Sequence, residues 1–336
     1  MKEAMFYEHV GDLLVRCRLC RFNCLIKDGD RGICAVRENL GGTLYSLVYG
    51  KVCAEHVDPI EKKPLFHVMP GSSSYSIATP GCNFHCRHCQ NHTISQVERH
   101  TTIRGKDYGP QEIVQRAIDN GCSSISYTYT EPTIFYEFAL DTARSAREKG
   151  LKNIFVTNGY ISKAALAEIA PYLDAANIDL KGFSEPFYRD VVHARLSEVL
   201  DSIIEYHKLG IWLELTTLII PGLNDSDSEL QGIANFIATN LGIDTPWHVS
   251  QFYPTYKLTD RPRTPVATLR RARDIGLAAG LRYVYEGNVP GDGGENTCCP
   301  SCSAILIRRY GYTIESNVIS KGACPGCGTA IAGIGL

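Results

Sequence analysis

The sequence predicts an α/β protein: a partial TIM-like (β/α)6 barrel with an N-terminal four-cysteine metal-binding segment and a C-terminal zinc ribbon. Three observations carry this. Short β-rich runs alternate with amphipathic helical patterns through the middle of the chain. Of fourteen cysteines, eleven gather in three clusters far apart in the chain. A glycine-dense stretch, GNVPGDGGENT at 287–297, reads as a linker into the last of them. The expected boundaries are 1–71, 72–288 and 289–336.

The β-rich runs are SYSIAT (74–79), SSISYT (123–128), KNIFVT (152–157), AANID (175–179), WLELTTLI (212–219) and HVSQFY (248–253), with RYVYE as a seventh. Helical patterns lie between them. Pro110 opens QEIVQRAIDNG, which ends on glycine; IFYEFALDTARSAREKG ends the same way; LSEVLDSIIEYHKLG keeps Leu196, Val199, Ile203 and Ile204 on one stripe. Repeated β-α units favour a barrel or part-barrel of parallel strands over a doubly wound sheet.

The flanking cysteines read as metal-binding caps. Cys299 and Cys302, with Cys324 and Cys327, form two C-P-x-C knuckles around the β-rich ILIRRYGYTIES, the spacing of a zinc ribbon. Within that stretch Arg308, Gly311 and Tyr312 sit in RRYGYT, read as strand and turn rather than a radical-storing glycine. At the other end, Cys17, Cys20, Cys24 and Cys34 surround a DGDRG turn, enough to fold a short segment around one metal. Zinc is the first choice there and an auxiliary iron–sulfur cluster the alternative, because four thiolates suit both.

Composition bounds the functional classes. The net charge of −2 and the lack of a basic patch argue against a general nucleic-acid surface. The apolar run IWLELTTLIIPGL is interrupted by Glu214 and too short to cross a bilayer. The opening MKEAMFYEHVGDLL lacks the charged and apolar regions of a secretory signal, so a cytoplasmic protein with no membrane partner is expected.

The middle cluster carries the chemistry. GCNFHCRHCQN, 81–91, sets Cys82, Cys86 and Cys89 directly after the first β-run, at the strand end where barrels collect chemistry. Three thiolates leave a metal, or one corner of a cubane cluster, without a protein ligand. A structural zinc closed by His85, His88 or His92 is the competing reading. Later β-runs also end in polar groups: Thr130, Glu131 and Pro132; Thr157, Asn158 and Gly159; Asp179 and Lys181; and His248 near the last. Each alone has an ordinary turn or capping explanation. Their placement at successive strand ends favours a shared site.

C-x3-C-x2-C after the first strand of such a part-barrel resembles the radical S-adenosylmethionine (SAM) superfamily. The stretch from about residue 72 to 290 resembles its pyruvate formate-lyase activating enzyme group through C-x-x-C-Q-N, TEP, TNG, DLK, IIPGLNDS and His248. The four-cysteine start, DPIEKKPLFH, YTYTEPTIF and the terminal ribbon resemble the radical enzyme of the AmmeMemoRadiSam system over nearly the full chain. The resemblance implies a 4Fe-4S cluster on Cys82, Cys86 and Cys89, whose open iron binds SAM, and an electron donor such as flavodoxin or ferredoxin. It implies that His88 lies against the adenine and that the Thr130-Glu131-Pro132 turn holds the methionine ammonium. Asn158 and Asp179 would bond the methionine or ribose, and Lys181 and His248 the carboxylate or ribose. Tyr129 and Thr130 stand where that group has paired glycines, which changes backbone freedom there.

Three functional expectations follow: hydrogen abstraction from a small-molecule or peptide substrate, activation of a partner protein by a stored glycyl radical, and a zinc-stabilised assembly module without catalysis. The intact triad argues against the third.

Overall fold

A computed structural model describes residues Met1–Leu336. The main sheet has eight strands, lying side by side in sequence order: β1 (Ala54–Pro59), β2 (Ser73–Ala78), β3 (Ser124–Tyr127), β4 (Lys152–Thr157), β5 (Ala175–Asp179), β6 (Trp212–Ile219), β7 (Trp247–Gln251) and β8 (Val284–Gly287). Helices α1 (Pro110–Asp119), α2 (Tyr136–Glu148), α3 (Lys163–Ile169), α4 (Leu196–Lys208), α5 (Asp227–Asn240) and α6 (Val266–Ala278) alternate with the strands from β2 onward. Two compact units share the chain: residues 1–58, 73–176 and 198–211 form the first; 59–72, 177–197 and 212–336 form the second.

In the first unit β3 pairs in parallel with β2 and β4, setting Ser126 opposite both Ser76 and Ile154. These strands are buried almost throughout, as parallel strands covered on both faces are. Pro110 occupies the first turn of α1 as its sequence implies. A single 3-10 turn, Pro132–Phe135, leads into α2, with the Glu131 side chain capping its start. The N-terminal segment is a set of short antiparallel strands, among them Leu14–Cys17 paired with Leu25–Ile26 and Arg37–Leu40 paired with Thr43–Ser46. It is pinned to α2 by a buried ion pair: Arg37 Nη2 donates to Glu137 Oε1 at 2.9 Å and to Met5 O at 2.7 Å, while Met5 N–H reaches the same carboxylate.

In the second unit β6, β7 and β8 run parallel, with Thr216, His248 and Tyr285 in register across them. The C-terminal cysteine segment is a three-stranded antiparallel sheet, Thr297–Cys298, Ile305–Tyr310 and Thr313–Asn317. Gly311, at φ 59°, makes its hairpin turn. Phe66, Tyr283, Tyr285, Cys299, Leu306, Cys324 and Ile331 share one apolar cluster, so this segment packs on the β8 end instead of hanging from a linker. The glycine-rich stretch itself folds back, with Glu286 N–H donating to Gly294 O.

β1 is a strand that the sequence pattern does not reveal. Its AEHVDP carries Glu55, His56 and Asp58, and it lies at the sheet edge, where short charged strands resist pairing with another chain. No helix of the chain is long and apolar enough to cross a membrane.

Candidate metal and cofactor site

The triad loop leaves β2 through Thr79, Pro80 and Gly81. Gly81 has φ 103°, and a Cβ there would stand 2.7 Å from Val36 Cγ1 and 3.1 Å from Cys34 O, so only glycine permits this approach to the N-terminal segment. Cys86 is buried, and Cys82 and Cys89 are half-buried. Cys82 Sγ accepts from Phe84 N–H at 3.4 Å, and Cys89 N–H donates to Cys86 O. Cys89 Sγ lies 3.1 Å from Ser95 Oγ. Burial, then the charges of Glu131, Cys86 and Cys89, pushes the Cys82 thiol far above the ordinary thiol range. Three cysteines of one loop beside a buried carboxylate would concentrate negative charge once ionised, a donor set that a positively charged iron–sulfur core suits.

Glu131, 2% exposed, organises the strand ends of this unit. Its Oε1 accepts from Thr133 N–H (3.0 Å), Thr133 Oγ1 (2.6 Å) and Thr157 Oγ1 (2.7 Å), and its Oε2 from Asn158 N–H at 2.8 Å. Burial outweighs these bonds and raises its pKa. Asn158 in turn donates from Nδ2 to Asn83 Oδ1 at 2.7 Å and approaches Cys82 Sγ at 3.9 Å. The carboxylate thus fixes an asparagine against the cysteine loop. Thr130 donates to Thr79 O at 2.8 Å, and His88 is buried at 5% exposure. Tyr129 takes φ 61°, a left-handed conformation that glycine adopts freely and tyrosine rarely. Its hydroxyl bonds to Asp58 and its carbonyl accepts from Asn91 Nδ2, which hold it there.

In the second unit Asp179, the last residue of β5, and Lys181 pair at 2.8 Å, and Lys181 O accepts from Asn224 Nδ2. His248 is buried, its Nε2 at 2.7 Å from Glu214 Oε2 and its ring stacked on Tyr285. Glu214 also accepts from Phe66 N–H (2.9 Å), His67 N–H (2.8 Å) and Trp212 Nε1 (3.3 Å). Burial alone would raise its pKa, but His248 and the Phe66 N–H lower it. His67 bridges Ala332 O and the Tyr285 hydroxyl, and burial takes its pKa down to about 4, so it is neutral. Arg309 continues the network to Thr297 Oγ1 and Phe66 O.

Sequence reasoning assigned no role to Glu214, His67, Tyr285 or Arg309. The signal for Glu214 was a carboxylate inside an otherwise apolar strand. The C-terminal cysteines come together directly: Cys299 and Cys327 sulfurs are 3.5 Å apart, Cys302 and Cys324 3.7 Å, and all four lie within 4.8 Å of one another. The N-terminal four line one cavity and interact electrostatically. Burial, then the charges of Cys17 and Cys24, pushes the Cys20 thiol up, and burial takes Cys34 to about 12.

The radical SAM superfamily profile matches residues 76–237. Over 334 residues the chain is 50% identical to the uncharacterized protein MJ0808 of Methanocaldococcus jannaschii, covering 98% of this chain and 99% of that one. It is 21% identical to the pyruvate formate-lyase-activating enzyme of Clostridium pasteurianum over 163 residues, 47% of this chain and 66% of that enzyme. A radical SAM methyltransferase from Sphaerobacter thermophilus shares the fold, with a TM-score of 0.51 at 17% identity over 65% of this chain and 67% of that one. The strand-end cysteine triad, the α/β sheet and the sequence match lead to one assignment: the chain belongs to the radical SAM superfamily, with the SAM and iron–sulfur binding that membership implies.

Proposed function

We propose that the protein is a radical SAM enzyme that abstracts hydrogen from a small-molecule or peptide substrate. The observation that carries this is the triad Cys82, Cys86 and Cys89 at the end of β2, beside buried Glu131. When bound, a 4Fe-4S cluster and SAM supply one-electron cleavage of the sulfonium C–S bond, giving methionine and a 5′-deoxyadenosyl radical.

The chain's own residues hold and orient. Cys82, Cys86 and Cys89 would hold the cluster through three thiolates. Asn158, fixed by Glu131, presents its amide beside Cys82. The Thr130-Glu131-Pro132 turn offers carbonyls to an ammonium, and His88 packs on the adenine. Asp179 serves the methionine or ribose, and Lys181 and His248 the carboxylate or ribose; the opposite charges of Asp179 and Lys181 suit a zwitterion. The four C-terminal cysteines hold zinc, supported by their close sulfur spacing. The motif resemblance along the chain supports reading the enzyme as the radical component of the AmmeMemoRadiSam system, with a flavodoxin- or ferredoxin-type protein supplying the electron.

A second reading, activation of a partner protein, draws support from the activating-enzyme relative. Anaerobically reconstituted protein, given a reductant and SAM, should form 5′-deoxyadenosine, and Cys89→Ala should abolish it. Full activity in that variant sinks the assignment. Deuterium transfer into 5′-deoxyadenosine from a labelled small-molecule fraction supports direct substrate chemistry. Transfer from a protein fraction with a glycine-centred EPR doublet supports the second reading.

A further inference from the structure

We infer that Cys17, Cys20, Cys24 and Cys34 hold a second iron–sulfur cluster, of the 4Fe-4S class, in place of a zinc ion. The four thiols line one cavity, whose other walls include Leu19, Phe22, Ile26, Ile33 and Ile134. Local hydrogen bonds set the ligands: Cys17 N–H donates to Cys24 O at 2.9 Å, Asn23 N–H to Cys20 O at 3.2 Å, and Ala35 N–H to Gly32 O at 2.9 Å. Each thiol is carried by a tight turn or a strand end.

Two features separate this site from a mononuclear one. The first is spacing. Zinc–sulfur bonds of about 2.3 Å draw four sulfurs to about 3.8 Å of one another, the edge of that tetrahedron. The C-terminal cysteines of this same chain show such closure, at 3.5 and 3.7 Å. The N-terminal thiols line a shared cavity and are not gathered within 4.8 Å of one another as the C-terminal four are. The second feature is a pair of unanswered donors. Arg37 Nε and Asn83 Nδ2 have no hydrogen-bond partner, both residues are 1% exposed, and both line the cavity. Buried donors without acceptors are rare because they lose their hydration for nothing. Bridging sulfides place acceptors inside the cavity, where a zinc ion places none.

Charge agrees. Four thiolates around a 4Fe-4S core leave a net anion, and the Arg37 guanidinium, held by Glu137 at 2.9 Å, lies in the field of Cys17 and Cys34. The apolar walls keep water from the sulfides. Asn83 sits between Cys82 and Cys86 in the chain, so this cavity borders the triad loop.

The site is testable without any SAM chemistry, so its failure is distinct from failure of the proposed reaction. Full-length Cys82→Ala/Cys86→Ala/Cys89→Ala protein, reconstituted anaerobically with iron and sulfide, should retain about four irons and about four acid-labile sulfides per chain. It should also give an EPR signal on reduction, beside about one zinc. About two zinc ions with no labile sulfide would overturn the inference. Should that variant misfold, the unaltered chain decides: about eight irons and eight sulfides support the second cluster, and about four of each with two zinc ions refute it.

Discussion

Glu214→Gln tests the buried network of the second unit. Each Glu214 oxygen takes two donors: Phe66 N–H and His248 Nε2 on one, His67 N–H and Trp212 Nε1 on the other. An amide has one acceptor end. With its NH2 toward Phe66 and His248, the imidazole can change tautomer and accept, but the Phe66 N–H has no such freedom. Turned the other way, it strands the His67 N–H and the Trp212 indole. The better orientation therefore leaves one buried backbone donor unmet, about 1–3 kcal/mol, and replaces charge-assisted bonds by neutral ones, about 1 kcal/mol more. A local loss of about 2–4 kcal/mol corresponds to a fall of about 30- to 1,000-fold in protection of these amides. Hydrogen exchange read by mass spectrometry on a peptide covering 60–69 measures it, with metal content of the C-terminal four-cysteine site as the check that the unit is folded. Protection within about threefold of the unaltered chain would show that Glu214 does not hold this segment.

Other outcomes follow from the same geometry. His67 titrates at about 4 when folded because burial opposes its charge, against about 6.5 unfolded, so below pH 6.5 the unfolded chain binds the extra proton. Its contribution to stability is intact above that pH and is lost as pH falls toward 4, about 3 kcal/mol in all; thermal melts of His67→Gln should show a shallower acid dependence over this window, and an unchanged one refutes the assignment. Cys327→Ser should release about one zinc per chain and speed proteolysis within 297–331 while leaving cluster iron in place, as metal analysis of the purified variant will report. Gly81→Ala should lower iron loading at least about twofold, since its Cβ meets Val36 and the backbone is strained at φ 103°. Full loading would show that the loop relaxes around the methyl group.

Apart from edge strand β1, the strands of the main sheet were legible because parallel strands buried on both faces leave continuous apolar, β-branched runs, as in KNIFVT and WLELTTLI. The helix starts were legible through Pro110 and the Glu131-Pro132 entry. The triad could be read because its meaning lies in spacing within one loop. Partnerships between distant residues left no such trace. Nothing in DPIEKKPLFH says that its Phe66 and His67 amides will face Glu214, nearly 150 residues on. Tyr129 shows the limit from the other side: a residue disfavoured by local preference takes the left-handed conformation because Asp58 and Asn91 hold both its ends.

The two buried carboxylates reveal how polar strand ends are built here. Glu131 and Glu214 each accept four hydrogen bonds; Glu214 ties the remote Phe66 and His67 N–H groups to β6, and Glu131 ties its own turn to the end of β4 through Thr157 and Asn158. Their partners differ in kind. Two of the Glu131 donors are threonine hydroxyls, which can rotate and accept, whereas every Glu214 donor is an N–H, and only the imidazole of His248 can reverse its role. Glu214 therefore defines a rigid joint between segment 66–67 and β6. Glu131, cushioned by Thr133 and Thr157, tolerates adjustment while still carrying Asn158 toward Cys82. A carboxylate placed this way serves the cysteine loop through the residue it positions, and its pKa, raised by burial, reflects that placement.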